Sequence, residues 1–258
     1  MQNTTNSSLG AFTYLLYTEM IAVLRSPSAL VPTFIFPIMF WTFFGIPNAG
    51  REINGFSVGA YLLCSFAAYS AIQTVFFNIG IGIASERAQG FYKLVRVTPM
   101  KVWQVLGAKM LATLGLAAVA LILLLVYGKF SINLDQPLNI WLEMLIRALI
   151  GMLPFAALGA FIGYVSKGAQ TASPIINLVF FPMAFGSGLF VPLETLPKIM
   201  QEIAPYLPSY HSGAFARAAV GINRESSLEH LIWILGYTVV FVALAVWAYK
   251  RDEGTNYR

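Results

Sequence analysis

Six long apolar stretches, separated by short polar segments, dominate the pattern of hydrophobic and polar positions along this chain. Each stretch holds about as many residues as a helix needs to cross a bilayer, roughly 20, and charged residues are nearly absent from all of them. The predicted membrane helices cover residues 28–47, 56–84, 106–128, 142–165, 170–191 and 231–249. The pattern therefore predicts an all-α, polytopic membrane protein with one transmembrane domain over residues 1–258.

A weaker helical pattern precedes the first stretch, in residues 9–25. Apolar side chains recur there at helical spacing, at Leu9, Phe12, Leu16, Met20 and Val23. Glu19 falls beside the apolar side, so the segment is too interrupted to span a bilayer. We predict an amphipathic helix that lies in the membrane interface ahead of the first membrane helix.

The segment that follows the second stretch, which we call the 85–101 loop, mixes basic and apolar side chains. Its sequence is SERAQGFYKLVRVTPMK. Gly90 allows a turn after the helix, and Thr98 with Pro99 marks the start of the next one. This composition predicts a short amphipathic helix. Composition alone leaves two occupants open for its apolar side, a protein partner or the lipid headgroups.

A second unusual segment, the 192–208 element, lies between the fifth and sixth stretches. Prolines at 192, 197, 205 and 208 divide it, and Leu196, Ile199, Met200, Ile203 and Leu207 follow helical spacing. The run is far too short to cross a bilayer, so we predict a re-entrant helical element. It either caps a pathway, because irregular backbone at membrane depth needs protein or a cavity around it, or packs on the ends of the bundle.

Composition agrees with a membrane location. Of 258 residues, 58% are hydrophobic and 10% are charged, whereas soluble domains have about 25% charged residues. The net charge of +5 does not indicate nucleic acid, because the basic residues lie in short loops and form no stripe. We interpret them as the charges that set the orientation of a multi-pass protein. We expect this protein in the cell's inner (plasma) membrane.

Basic residues are about twice as frequent on one side of the predicted bundle, which by the positive-inside rule puts both termini in the cytoplasm. The inner side holds Arg25, Arg87, Lys93, Arg96, Lys101, Lys109, Lys167, Lys250, Arg251 and Arg258. The outer side holds Arg51, Lys129, Lys198, Arg217 and Arg224. The 85–101 loop is therefore predicted to be inside, and the 192–208 element, followed by a loop over 209–229, outside.

Known catalytic and metal-binding motifs are absent. The sequence holds no phosphate-binding loop, no H-E-x-x-H, no G-x-S-x-G and no cysteine–histidine cluster, and its one cysteine, Cys64, lies in an apolar stretch. We expect no catalytic residue, no metal ligand and no cofactor on this chain. His211 and His230 are expected to be ordinary solvated histidines near the outer surface.

Carboxylates are also rare in the predicted spans, which disfavours a proton- or sodium-driven carrier because such carriers keep ionisable groups in the membrane. Glu143 and Arg147 are the exception. Their i, i+4 spacing predicts a structural ion pair. A channel or secondary carrier that works without ATP stays an alternative, as does a scaffold that only anchors a cytoplasmic partner.

The 85–101 loop and the 192–208 element together resemble one family, the type 2 permeases of ATP-binding cassette (ABC) exporters, which include daunorubicin exporters. The family's inner loop typically reads E-R-E-x-G-T-L-E-x-L-L-V-T-P. On this frame fall Glu86, Arg87, Gly90, Leu94 (at a variable position), Val97, Thr98 and Pro99, and the chain departs at Phe91, Tyr92, Lys93 and Arg96. The family's outer element, between its fifth and sixth helices, typically reads P-[LI]-x-x-[LM]-P-x-x-[LM]-Q-x-[IL]-[AS]-x-x-[LN]-P. This chain fits it at Pro192, Leu193, Leu196, Pro197, Met200, Gln201, Ile203, Ala204 and Pro208.

The resemblance implies a subunit without catalytic activity, whose partners are a cytoplasmic ABC ATPase that holds ATP and Mg²⁺, a second permease subunit and membrane lipids, with no nucleic acid. It implies that the 85–101 loop couples to the ATPase, through Glu86, Arg87, Gly90, Phe91, Tyr92, Lys93, Arg96, Thr98 and Pro99. It implies an outer gate that comprises Pro192, Leu193, Glu194, Leu196, Pro197, Gln201 and Pro208.

By the same analogy, the first, second and fifth membrane helices flank the substrate route. Their aromatic residues would line it: Phe34, Phe40, Phe44, Phe66, Phe76, Phe180, Phe181 and Phe185. Such walls suit an apolar or amphipathic substrate, for example a drug, a lipid or a lipid-linked molecule. The direction implied by the family is export.

Overall fold

The structure of the chain, a computed structural model, describes residues 3–25, 30–53, 55–92, 102–222 and 225–256. Of residues 3–11, 102–103 and 253–256 it describes the backbone only. In chain order the helices are α1 Asn3–Leu24, α2 Val31–Asn48, α3 Val58–Ala88, α4 Val102–Ile132, α5 Leu138–Gly151, α6 Leu153–Val165, α7 Ala169–Gly186, α8 Lys198–Ile203, α9 Pro208–Arg217 and α10 Ser227–Asn256. Single 3₁₀ turns lie before α8 at Leu193–Thr195, between α8 and α9 at Ala204–Tyr206, and after α9 at Ala218–Val220.

Five helical segments in the described ranges are long and apolar enough to cross a membrane. They are Val31–Asn48, Val58–Ala88, Gln104–Ile132, Leu138–Val165 and Ser227–Asp252. The prediction of a polytopic, nearly all-helical membrane protein is thereby confirmed. The predicted fifth span falls on α7, which is not one of the five, because Gln170, Ser173 and Asn177 dilute its apolar residues.

The fourth membrane segment is interrupted where the sequence predicts one helix over 142–165. α5 ends at Gly151 and α6 begins at Leu153, with Met152 between them and Pro154 in the first turn of α6. Proline lacks the N–H that would continue the hydrogen-bond ladder of α5. The two helices still form one apolar segment of 28 residues.

Three local expectations need correction. The fifth predicted helix, 170–191, ends already at Gly186, because Gly188 adopts a positive φ of 79° and turns the chain. The predicted outer loop over 209–229 contains α9, which is buried along its whole length. A short hairpin, unseen in the sequence, joins α2 to α3: Glu52–Ile53 pairs antiparallel with Phe56–Ser57, and Gly55 supplies the turn with φ 80°.

Helix α3 is the centre of the bundle, and most of its side chains from Val58 to Ala84 are buried. It packs against α6, α4, α7, α9 and α5, while α10 covers the other side of α6. Its start is set by Ser57, whose hydroxyl accepts a hydrogen bond from the amide of Ala60 at 3.4 Å. Helix α1 lies against α4.

Small residues bring α3 and α6 close together. A Cβ added at Gly159 would meet the carbonyl oxygen of Phe76 at 2.9 Å, and one added at Gly163 would meet that of Gly80 at 2.8 Å. Both distances are shorter than ordinary van der Waals contact. The atoms met belong to the backbone, which cannot rotate away as a flexible side chain can. The glycines therefore let two membrane backbones touch, as small residues do in membrane helix pairs.

The substitution Gly163→Ala tests this contact. We expect it to destabilise the bundle by about 1–3 kcal/mol, the usual cost of overpacking a close contact, and to lower the midpoint of thermal unfolding in detergent. The matched control is Gly115→Ala in α4, where an added Cβ meets nothing within 4 Å. An unchanged midpoint for Gly163→Ala would contradict the α3–α6 packing.

Candidate functional site

A buried ion cluster holds the start of the 85–101 loop. Lys109 of α4 is 8% exposed, and its ammonium lies 2.9 Å from a carboxylate oxygen of Glu19 and 2.5 Å from one of Glu86. Glu19 belongs to α1 and Glu86 to the last turn of α3. One cation thus joins three helices. Glu19, which interrupts the apolar face of α1, therefore forms an ion pair that joins α1 to α4.

Arg87 makes a second set of hydrogen bonds, including an ion pair, at the same end of the bundle. Its guanidinium donates to both carboxylate oxygens of Asp252 in α10. It also donates to the carbonyl oxygens of Gly163 and Ser166, at 3.0 and 2.8 Å. The sequence analysis assigned Arg87 to coupling with an ATPase. In the structure its guanidinium is bonded within the chain, to α10 and to the turn after α6.

The two rings of the 85–101 loop that the structure describes also pack inward. Tyr92 is 4% exposed and donates to Glu86 at 3.2 Å, and burial raises the pKa of Tyr92. Phe91 packs on the cluster that Leu15 and Val105 form between α1 and α4. Gly90, with φ 74°, turns the chain after α3 as predicted. Lys93, Arg96, Thr98 and Pro99 lie outside the described residues.

Seven of the eight aromatic residues predicted to line a route belong to a network of ring contacts that two further rings, described below, make continuous. Phe40 of α2 contacts Phe66 of α3 with centroids 6.4 Å apart, and Phe76 of α3 contacts Phe180 of α7 at 6.2 Å. The further predicted members in contact are Phe44, Phe181 and Phe185. Phe34 is half-buried on α2 and makes no ring contact with this network among the described residues.

Two rings that the sequence analysis did not select complete this aromatic network. Phe190 is 2% exposed and contacts Phe40 and Phe185 with centroids 5.0 and 4.5 Å apart. Tyr69 contacts Phe40, Phe180 and Phe190. Phe190 follows the early end of α7 and so folds back onto the network, which helical spacing over 170–191 could not indicate.

Polar atoms without partners lie on the same part of α3. The Tyr69 hydroxyl, the Ser70 hydroxyl and the Gln73 side-chain oxygen are buried and have no hydrogen-bond partner in the described part of the chain. The spacing 66, 69, 73 and 76 puts Tyr69 and Gln73 on the aromatic face of α3. An unpaired buried polar atom costs about 1–3 kcal/mol, so this face carries unused hydrogen-bonding capacity.

The 192–208 element folds as a compact cap. Leu193 and Ala204 pack with Tyr210 of α9, and Gln201 donates to the carbonyl oxygens of Glu194 and Leu196 at 3.3 and 2.7 Å. The predicted members Pro192 and Pro208 are buried, Leu196 and Glu194 are half-buried, and Pro197 is exposed. The turn that precedes the element is bonded to α3, where Tyr61 donates to the carbonyl oxygen of Gly188 at 3.0 Å.

An arginine lies buried next to this cap. Arg217 of α9 is 5% exposed, donates to the Ser65 hydroxyl at 3.0 Å and lies 4.5 Å from the centre of the Tyr61 ring. It lines a cavity of about 50 Å³ together with Tyr61, Pro192, Tyr210 and His230. The sequence analysis assigned Arg217 only to an outer loop, because α9 has no regular apolar stripe.

The predicted Glu143–Arg147 ion pair is confirmed. Arg147 also donates to the carbonyl oxygen of Phe215 at 3.2 Å and to the Ser227 hydroxyl at 3.1 Å. These bonds connect α5 with α9 and with the first residue of α10. The pair therefore has the structural role that its spacing indicated.

The expectation of solvated histidines is wrong. His211 and His230 are each 1% exposed, and their Nδ1 atoms lie 3.0 Å apart. Burial lowers the pKa of His211, so this imidazole is neutral at neutral pH. Nineteen residues separate the two in sequence, and only the packing of α9 against α10 brings them together.

Comparisons with known proteins cover most of the chain. Residues 47–247 match the family described as ABC-2 family transporter protein. The Bacillus subtilis (strain 168) protein YvfS, named as a transport permease, is 28% identical over 235 residues, which are 91% of this chain and 95% of YvfS. The inner membrane transport permease YhhJ of Escherichia coli (strain K12) is 20% identical over 182 residues, which are 68% of this chain and 48% of YhhJ. The family match includes both the 85–101 loop and the 192–208 element.

Proposed function

Because this chain belongs to the ABC-2 family of transporter proteins and is a type 2 ABC permease, we propose that it forms half of the membrane route of an exporter. ATP is bound and hydrolysed on a separate cytoplasmic ABC ATPase, and a second permease subunit completes the route. This chain supplies no catalytic group. Both termini and the 85–101 loop face the cytoplasm, and the 192–208 element lies outside.

Six membrane spans belong to this proposal, with α7 as the fifth. Helix α7 has 18 residues, or about 27 Å at 1.5 Å per residue, close to the roughly 30 Å of a hydrocarbon core. It carries no Asp, Glu, Lys or Arg, and Ile176 and Phe180 are buried in the core of the bundle. The six-span count puts both termini on one side.

The observation that carries the proposal is how the start of the 85–101 loop is bonded. Glu86 is tied through Lys109 to α4 and α1, and Arg87 is tied to α10 and to the turn after α6. A displacement of the loop by an ATPase is therefore passed to four helices besides α3. This arrangement suits a rigid-body change between two states of the bundle. A scaffold that only anchors a partner needs no such ties.

The route proposed for the substrate runs along the aromatic network between α2, α3 and α7. Its rings suit an apolar or amphipathic molecule, and the unpaired polar atoms of Tyr69 and Gln73 suit a substrate with a polar group. The cap formed by the 192–208 element lies at the end of this route through Phe190. Drugs, lipids and lipid-linked molecules all have this character.

The substitution Tyr69→Phe tests the route. The hydroxyl has no partner among the described residues, so we expect thermal stability to stay equal or rise, and the KM for transport of an amphipathic substrate to increase severalfold. Tyr17→Phe on α1, where Tyr17 is 62% exposed, is the control. A loss of stability in Tyr69→Phe with unchanged KM would contradict a role in transport.

Reconstitution tests the proposed function as a whole. The chain is incorporated into liposomes with and without its co-purifying ATPase, and uptake of a rhodamine dye and of an NBD-labelled phospholipid is followed with ATP, without ATP and with a non-hydrolysable analogue. We expect movement only with both the ATPase and ATP. Movement by the chain alone, without ATP, would favour the channel or carrier instead.

A further inference from the structure

The two histidines of this chain and one carboxylate converge at the 192–208 element. The Nδ1 atoms of His211 and His230 lie 3.0 Å apart, and a carboxylate oxygen of Glu225 lies 3.6 Å from Nδ1 of His230. The three ligand atoms all lie within 4.8 Å of one another. They come from α9, from the connection after it and from the first turn of α10, so the tertiary fold alone assembles the group.

The hydrogen bond on the far side of His211 fixes which of its nitrogens is free. Nε2 of His211 lies 2.8 Å from the carbonyl oxygen of Pro205. A carbonyl only accepts, so Nε2 carries the proton and Nδ1 of His211 accepts from Nδ1–H of His230. A cation that binds both Nδ1 atoms takes the place of this proton, which leaves to solvent or moves to Nε2 of His230. Metal-bound histidines typically donate their other N–H in this way to a carbonyl or carboxylate.

We propose that His211, His230 and Glu225 bind a divalent transition-metal cation of the Zn²⁺ class at the end of the bundle formed by the 192–208 element. Ligand atoms around a tetrahedral zinc are about 3.3 Å apart, given Zn–N bonds of about 2.0–2.1 Å. The observed 3.0 and 3.6 Å differ from this spacing by a few tenths of an ångström, and the third pair, His211 and Glu225, lies within 4.8 Å. Two imidazoles and one carboxylate leave a fourth position open for water.

The surroundings complete the site. Tyr210 donates to the other oxygen of Glu225 at 3.2 Å and so orients the carboxylate. The charge of Arg217 works against a cation here, since its partners Ser65 and the Tyr61 ring are neutral, and the carboxylate of Glu225 supplies the opposite charge in the site. The Glu225 side chain is 32% exposed and gives a cation access from solvent.

Metal binding would join the 192–208 element to the last membrane helix. Pro205 belongs to the 3₁₀ turn of the element, His211 to α9 and His230 to α10. A cation held between them fixes the cap against α10. The availability of metal would then affect how easily the cap moves. This effect does not depend on whether an ATPase drives the chain.

The composition of the chain allows a direct test with purified protein. It has two histidines and one cysteine, which is buried, so a chain purified with a removable tag that lacks histidine has no other imidazole. We expect one Co²⁺ per chain with the visible absorption of a tetrahedral site, displaced by Zn²⁺ and not by excess Mg²⁺. Trp233 stacks on His211 with ring centres 5.0 Å apart, so its fluorescence should change at the same metal concentration.

Matched variants distinguish this site from surface binding. The pair His211→Gln and His230→Gln should each weaken Zn²⁺ binding by more than about 100-fold, beyond the 10–100-fold that outer-shell partners contribute. Glu225→Gln, which leaves both imidazoles and the fold in place, should weaken it by at least about tenfold. Glu202→Gln, an exposed carboxylate of the 192–208 element, should leave it unchanged.

Two results would overturn the proposal. One is wild-type protein that binds Zn²⁺ no more tightly than the Glu225→Gln variant. The other is nuclear magnetic resonance of ¹⁵N-labelled histidine in which Zn²⁺ leaves both Nδ1 resonances unmoved. The second measurement reads the imidazoles directly, so it stays decisive if a histidine variant fails to fold, and neither measurement depends on transport or on a partner ATPase.

Discussion

The substitution Lys109→Met is expected to lower the free energy of unfolding by about 3–5 kcal/mol, because it leaves the buried carboxylates of Glu19 and Glu86 without a counter-charge. Their side chains are 14% and 19% exposed and face the lost ammonium across distances of 2.9 and 2.5 Å. The loss should appear as a lower thermal midpoint in detergent and as faster proteolysis of the chain within α1.

Rescue by neutralisation separates this cluster from general damage. In the triple variant Lys109→Met, Glu19→Gln and Glu86→Gln no buried charge stays unpaired, so most of the lost stability should return. Lys129→Met, at an exposed position of α4, is the matched control and should change stability by no more than about 0.5 kcal/mol. A triple variant as unstable as the single one would refute the ion cluster.

The substitution Arg87→Ala is expected to cost a similar amount, about 3–5 kcal/mol, because it removes the bidentate partner of the buried Asp252 carboxylate and leaves the carbonyl oxygens of Gly163 and Ser166 without their donor. The side chains of Arg87 and Asp252 are 14% and 9% exposed. Transport driven by ATP should fall by at least tenfold, since the 85–101 loop loses its tie to α10. Binding of the ATPase should persist.

The charge-exchanged variant Arg87→Asp with Asp252→Arg is the informative comparison. It restores the ion pair but not the bonds to the two carbonyls, so stability should recover only in part. Stability is read from the thermal midpoint, and ATPase binding from co-purification. If Arg87→Ala instead released the ATPase with an unchanged midpoint, Arg87 would contact the partner and the internal role would be wrong.

The membrane helices could be predicted because long apolar runs with almost no charged residues insert favourably into a bilayer and are rarely found in soluble proteins. Helices α4 and α10 extend beyond their predicted apolar stretches at both ends, and α3 extends beyond its stretch at the C-terminal end, which a count of apolar residues cannot include. The end of α7 at Gly186 depended on a positive φ two residues later. A glycine such as Gly188 can adopt a positive φ, but nothing in the sequence around it requires one.

The inward packing of residues 85–92, the described start of the 85–101 loop, could not be predicted from composition. A basic residue next to apolar ones looks the same whether its partner is another protein or the chain's own α10. The choice is made by Asp252, 165 residues away from Arg87, and by Lys109, which the sequence analysis treated only as an orienting charge. Long-range partners of this kind are set by tertiary packing.

Helix α9 is the largest omission of the sequence analysis, and it carries Arg217 and His211. Its sequence, PSYHSGAFAR, mixes small and polar residues, because all of its sides face other protein segments: α3, α5 and α10. Such a helix has no apolar stripe for a periodicity argument to find. Pro208 at its first turn was the one available start signal.

Co-purification from the native host tests the central claim most directly, namely that the chain is a permease worked by an ABC ATPase through the 85–101 loop. The tagged chain is extracted in mild detergent, and its partners are identified by mass spectrometry and assayed for ATP hydrolysis. The account predicts that an ABC ATPase accompanies the wild-type chain and the Lys129→Met control, and that Lys93→Glu with Arg96→Glu releases it. A chain that purifies alone, without ATP hydrolysis, and still conducts in liposomes would contradict it.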